Sequence, residues 1–169
     1  WGQRTLIDNI IHSENSYLKE NYLEKLLSGE YAGATALSNA VKYLSDLEEL
    51  NVYIIEEKGQ FYLKGRLPWV TNARRNRFLT IFVAGFADDP SKSYVVAVPS
   101  DAENFSRSED LEFVSLQGGN TAALTFNRVP LKEEWILSKN AKEFLTQNRP
   151  AFLGYQFGLA FGLAERSLS

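Results

Sequence analysis

A chain of 169 residues with 44% hydrophobic and 13% aromatic side chains carries enough apolar material for a sizeable core and is not disordered in composition. A net charge of −3 gives no electrostatic case for nucleic acid, and no apolar run approaches the ~20 residues of a membrane span. The absence of cysteine and a solitary histidine, His12, exclude disulfides, thiol chemistry and Cys-ligated metal, and leave no His cluster or Ser-His-Asp triad unless a partner chain completes it.

The first residue is Trp and no methionine occurs, which predicts a piece of a longer protein; the polar, amphipathic amino end predicts no signal peptide. Residues 1–29 read as helix, because Leu6, Ile10, Ile11, Tyr17, Leu18, Tyr22, Leu23, Leu26 and Leu27 recur at three- and four-residue spacing. Ser28-Gly29 is the expected stop. The small-residue run Gly33 to Ser38 has no clear period, but it would let another group approach the backbone closely.

From Asn51 the period changes. Val52 to Ile55 and Phe61 to Leu63 flank a Glu-Lys-Gly-Gln turn and predict a hairpin. Further strands are expected at 78–84, 93–98, 111–116 and 121–126, with turns at 88–91 and 117–120. Short strands at this spacing predict a small antiparallel barrel or sandwich. After Pro130 helix returns, first as a short turn at 141–145 and then as a helix opened by Pro150. That helix is apolar nearly all round, with Gly154, Gly158 and Gly162 at four-residue spacing, and predicts close packing and self-association.

The stretch with most chemical content is Gly65 to Ala73. Trp69 and Thr71 fall two residues apart, so an extended strand puts indole and hydroxyl on one face. Such a pair can back a planar aromatic ligand and give it a hydrogen bond, although aromatic strand residues are more often core. Arg74, Arg75 and Arg77 read as a solvated turn that can meet phosphate. Glu48, Glu49, Glu56 and Glu57 read as a solvated edge. His12 reads as a surface residue, Gly118-Gly119 as a hairpin turn, and Asp88-Asp89 as too few ligands for a cation.

The order of these parts resembles the acyl-CoA dehydrogenase family from about Lys19 to Leu168. The carriers are Glu24 to Gly33, Trp69-Val70-Thr71-Asn72, Leu116 to Thr121 with Leu124 to Asn127, and Arg149 with Gly158-Leu159-Ala160. The resemblance implies an α+β chain: an antiparallel β-barrel-like middle domain (47–137) between amino-terminal helices (1–46) and the first helix of a carboxy-terminal bundle (138–169). It implies FAD, acyl-CoA, an unspecified electron acceptor, a homo-oligomer (dimer or tetramer) and a cytoplasmic enzyme. By resemblance Trp69, Val70 and Thr71 flank the flavin ring, Leu37 and Ser38 meet its pyrimidine end, Ser45 meets the FAD diphosphate or the CoA chain, and Arg149 faces CoA. The family's Thr-Glu-Pro is replaced by Ser38-Asn39-Ala40, its Gly-Ser-Asp by Leu44-Ser45-Asp46, and Gln117 stands where arginine is usual. Asn148 occupies the place of a carboxylate that serves some members as base, so no catalytic base is expected in this chain. A monooxygenase or oxidase of the same superfamily, or a non-catalytic relative, is the alternative.

Overall fold

The computed structural model describes residues 1–89 and 91–168. The helical reading of 1–29 is met by two helices, α1 (Gly2–His12) and α2 (Ser16–Leu27). The break lies at Asn15, whose side chain accepts from the Leu18 N–H at 2.8 Å and so starts a new helix. Its amide also donates to the carbonyls of Glu134 and Ile136, at 3.0 and 2.8 Å, which ties the break to the far end of the chain.

The run without a period becomes a strand and a helix, β1 (Ala32–Thr35) and α3 (Leu37–Tyr43). Its small residues have the expected use. A Cβ on Gly33 would lie 3.1 Å from Gln3 Cα and from Leu6 Cβ, so glycine is what lets α1 cross β1 at this distance.

The hairpin forms as expected from β2 (Val52–Glu57) and β3 (Gln60–Val70). Lys58 and Gly59 both adopt positive φ, +53° and +77°, as a two-residue turn matched to strand twist requires. Then come β4 (Phe78–Phe86), β5 (Ser93–Pro99), β6 (Phe105–Arg107), β7 (Ala122–Pro130), β8 (Ile136–Ser138) and α4 (Ala141–Leu168). The turn expected at 88–91 includes Pro90, which lies outside the described residues.

Two expectations are corrected. Residues 111–116 form no strand. The Gln117 side chain accepts from the Phe113 N–H at 2.9 Å and donates to the Leu111 carbonyl at 3.0 Å, taking the place of a strand partner. Pro150 does not open a helix but sits inside α4. There it has no N–H to return to the Thr146 carbonyl.

The sheet runs β6-β7-β3-β2-β4-β5-β8, with β1 added to β4. The α+β arrangement is the one expected, but the sheet curls without closing, and β6 and β8 do not pair. Both β1 and β2 run parallel to β4 and share one of its edges. Alternation along β4 sorts its side chains. Phe78, Phe82 and Ala84 enter the hollow of the curl, while Leu79, Ile81 and Val83 pack under α1, α3 and α4. Buried on both faces, β4 reads as one apolar run. Inside the curl Phe82 meets Phe126 with ring centroids 4.7 Å apart, and Phe105 meets Phe126 at 5.1 Å.

Candidate functional site

Strand β3 is bulged where it passes β7, with the register shifting between Leu67 and Val70. Pro68 falls in this gap, where its missing N–H costs no ladder bond. The bulge re-aims the chain: Leu67 and Val70 are both buried, whereas Trp69 between them is 62% exposed. Thr71 is exposed as well. The indole and hydroxyl therefore stand on the open side with Val70 turned into the core, as the spacing of the pair predicts.

The backbone beyond this pair is pinned from behind. Asn72 adopts φ +61°, and its amide donates to Gln3 Oε1 and to the Gly33 carbonyl, both at 3.1 Å. Gln3 in turn accepts from Gly33 N–H at 2.6 Å and donates to the carbonyls of Leu26 and Tyr31, at 2.7 and 3.0 Å. One glutamine thus ties α1, the end of α2, β1 and the Trp-Val-Thr-Asn stretch together. The Asn72 N–H donates to Gly119 O at 2.9 Å, bringing the Gln117–Gly119 turn alongside. The loop before that turn places Phe113 with its ring centroid 5.8 Å from that of Trp69. Arg107 holds the base of this loop, donating to Ala73 O at 2.7 Å and pairing with Asp110, whose carboxyl it holds below the usual carboxylate range.

A hollow of about 170 Å³ lies beside Trp69, lined by Ala36, Ser38, Asn39, Lys42, Glu48, Asn51, Leu67, Pro68 and Trp69. Helix α3 forms one wall. Asn39, only 7% exposed, donates to Glu48 Oε1 at 2.7 Å and to Glu49 O at 2.9 Å, and accepts from Asn51 N–H at 3.0 Å. It thereby locks residues 48–51 against α3. Lys42 pairs with Glu48 at 3.0 Å. The Asn39 and Lys42 hydrogen bonds together lower the Glu48 pKa. A carboxylate so depressed contributes its stabilisation above the ordinary carboxylate range and loses it as pH falls through its lowered value. Melts taken from about pH 6 to about pH 3 should therefore show a larger acid-side loss in the wild type than in Glu48→Gln. Parallel curves would mean that the pair contributes nothing.

Across α3 lies a second cleft, of about 90 Å³, between α1, α3 and α4. Asn9, Leu37, Val41, Leu44, Lys142, Leu145, Thr146, Asn148, Arg149 and Phe152 line it. The structure so brings Ser38 to Trp69, and Leu37 to Arg149, on opposite sides of one short helix. Leu37 and Val70 are buried, so neither turns its side chain to a ligand on the open side. Ser45 lines neither hollow; it is exposed and donates to Val41 O at 3.0 Å. Asn148 donates to Phe144 O at 2.8 Å.

Several of the other candidates have structural partners. Arg74 donates to Gly29 O at 2.8 Å, and Arg75 pairs with Glu109 at 2.9 Å. Glu57 pairs with Arg128, and Asp89 with Lys92 at 3.0 Å. The His12 ring meets the Asp8 carbonyl at 2.8 Å. The sequence reading missed Asn39, Lys42 and Asn51 as parts of a site; their signal was the departure at 38–40 itself. Among the described residues no helix is long and apolar enough to cross a membrane.

No family model matches the chain. A mitochondrial isovaleryl-CoA dehydrogenase of Pongo abelii is 33% identical over 140 residues, covering 80% of this chain and 33% of that protein. An acyl-CoA dehydrogenase of Bacillus subtilis is 27% identical over 164 residues, 94% of this chain and 42% of that one. Among solved structures, a glutaryl-CoA dehydrogenase from Mycobacterium smegmatis in complex with FADH2 shares the fold, with a TM-score of 0.69 and 20% identity; the match covers 87% of this chain and 38% of that one. The chain spans about a third of the length of the mitochondrial relatives it matches. The resemblance to the acyl-CoA dehydrogenase family is thus borne out in sequence, by the curated relatives, and in fold, by the solved structures.

Proposed function

We propose that the full-length protein is an FAD-dependent acyl-CoA dehydrogenase-like oxidoreductase that oxidises the α,β bond of an acyl-CoA thioester. The observation that carries this reading is the exposed Trp69–Thr71 pair beside the α3 hollow, in a chain with this resemblance. A large flat apolar ring left in water next to a hydroxyl fits a planar, hydrogen-bonding ligand better than it fits a core. Bound FAD would supply the hydride acceptor.

The chain's own residues would bind and orient. Trp69 offers the flat wall, Thr71 a hydroxyl, and Leu37 and Ser38 their backbones with the Ser38 hydroxyl beside them, while Val70 would hold the pair from the core side. Arg149 offers its guanidinium to the CoA moiety from the second cleft, and Ser45 a hydroxyl at the surface. No base is assigned here, because Asn148 has no basic oxygen to take an α-proton. We keep 1–46, 47–137 and 138–169 as proposed domains, and the cytoplasm as the proposed compartment, against which stand the mitochondrial relatives.

Visible absorption of the full-length protein tests this reading. Yellow protein that bleaches when mixed anaerobically with acyl-CoA supports it; protein that takes up no added FAD overturns it. A second reading, a relative without flavin, is favoured by one observation: the segment that replaces Thr-Glu-Pro is folded into α3. Self-association is also proposed, since Phe157, Leu159, Phe161 and Leu163 on α4 are each more than half exposed. Sedimentation of full-length protein as monomer alone would count against it.

A further inference from the structure

The hollow beside Trp69 has two charged side chains in its lining, Lys42 and Glu48. Lys42 follows Ser38 by four residues on α3, so both lie on one side of that helix. Glu48 is held twice, by Lys42 at 3.0 Å and by Asn39 at 2.7 Å. Asn39 is itself fixed by Glu49 O and the Asn51 N–H, so the carboxylate belongs to a braced rim. Lys42 is held by one of its three N–H donors, and its side chain is 54% exposed. It is the cation in this hollow with hydrogen-bonding capacity to spare.

We propose that Lys42 is a positioning residue that raises the reduction potential of the flavin ring seated on Trp69, and that Glu48 restrains it. This rests on the flavin reading above. A hydride delivers two electrons and one proton, so an accepting ring gains one negative charge. A cation in the same hollow stabilises that charge, and an anion opposes it. Asn39 and Lys42 fix the spacing between the two opposed charges.

The test is the midpoint potential of FAD bound to full-length protein, measured by dye-coupled reductive titration without substrate. Lys42→Met should shift the oxidised-to-reduced equilibrium about tenfold toward oxidised flavin, about 30 mV for a two-electron couple. Glu48→Gln should shift it the opposite way by a similar factor. Opposite signs separate a charge effect from simple loosening of the rim, which would move both variants alike. Wild-type potentials in both variants, or shifts of one sign, overturn the proposal and leave the flavin reading standing. Failure of the wild type to take up FAD overturns both.

Discussion

Gly65→Ala should destabilise the fold by about 4 kcal/mol or more, or prevent folding, although it adds one methyl group. Gly65 is at φ +144°, and a Cβ there would lie 2.1 Å from Asn51 O and 2.8 Å from Val52 Cα. Both are backbone atoms of the neighbouring strand, so no side chain can swing aside. Gly65 also pairs with Val52 on one side and Phe126 on the other. Relieving the overlap therefore means parting β2 from β3 just upstream of Trp69. Gly118→Ala is the control, since a Cβ there meets nothing within 4 Å. Urea melts of the two variants decide the matter. A Gly65→Ala protein as stable as Gly118→Ala would show that the pairing of residues 52 and 65 is wrong.

Trp69→Ala should do the reverse: leave the fold standing and remove the ligand. The side chain is 62% exposed and touches Phe113 at the surface, so truncation should change stability by less than about 1 kcal/mol. Covering one indole face with a planar ring is worth roughly 2–3 kcal/mol. Its loss should weaken FAD binding roughly 30- to 150-fold. Fluorescence titration of the full-length variant with FAD reads the affinity, and a melt of the same sample reads the stability. Unchanged affinity would remove Trp69 from the site, whatever else binds flavin.

What the sequence disclosed follows from which signals are local. The β2–β3 turn was legible because Lys58-Gly59 states its own backbone geometry. That 69 and 71 share a face was legible from strand alternation. The reason Trp69 is outward was not, because the bulge at Pro68 arises from register against β7, more than fifty residues away. Strand β1 was hidden because Ala-Gly-Ala-Thr has no period and little bulk; it fits as a strand in the narrow slot between β4 and α1. The mistaken strand at 111–116 has a similar origin, since Phe113 and Val114 carry strand propensity that the Gln117 side chain overrides. Of the candidate site, the aromatic wall was visible and the polar wall was not. Asn39 acts through hydrogen bonds to residues nine to twelve positions later, and no spacing rule announces such a clamp.

Strand β4 is enclosed by β5 along one edge and by β1 and β2 along the other, with side chains packed on both faces. No single neighbour can fray away and give its amides to solvent. In deuterium its N–H groups should therefore be the slowest to exchange, marking the point where local breathing gives way to global opening. Its two parallel neighbours join it only after long chain segments have closed. Cooperativity in this protein is thus concentrated in one central strand, two places along the sheet from the strand that carries Trp69.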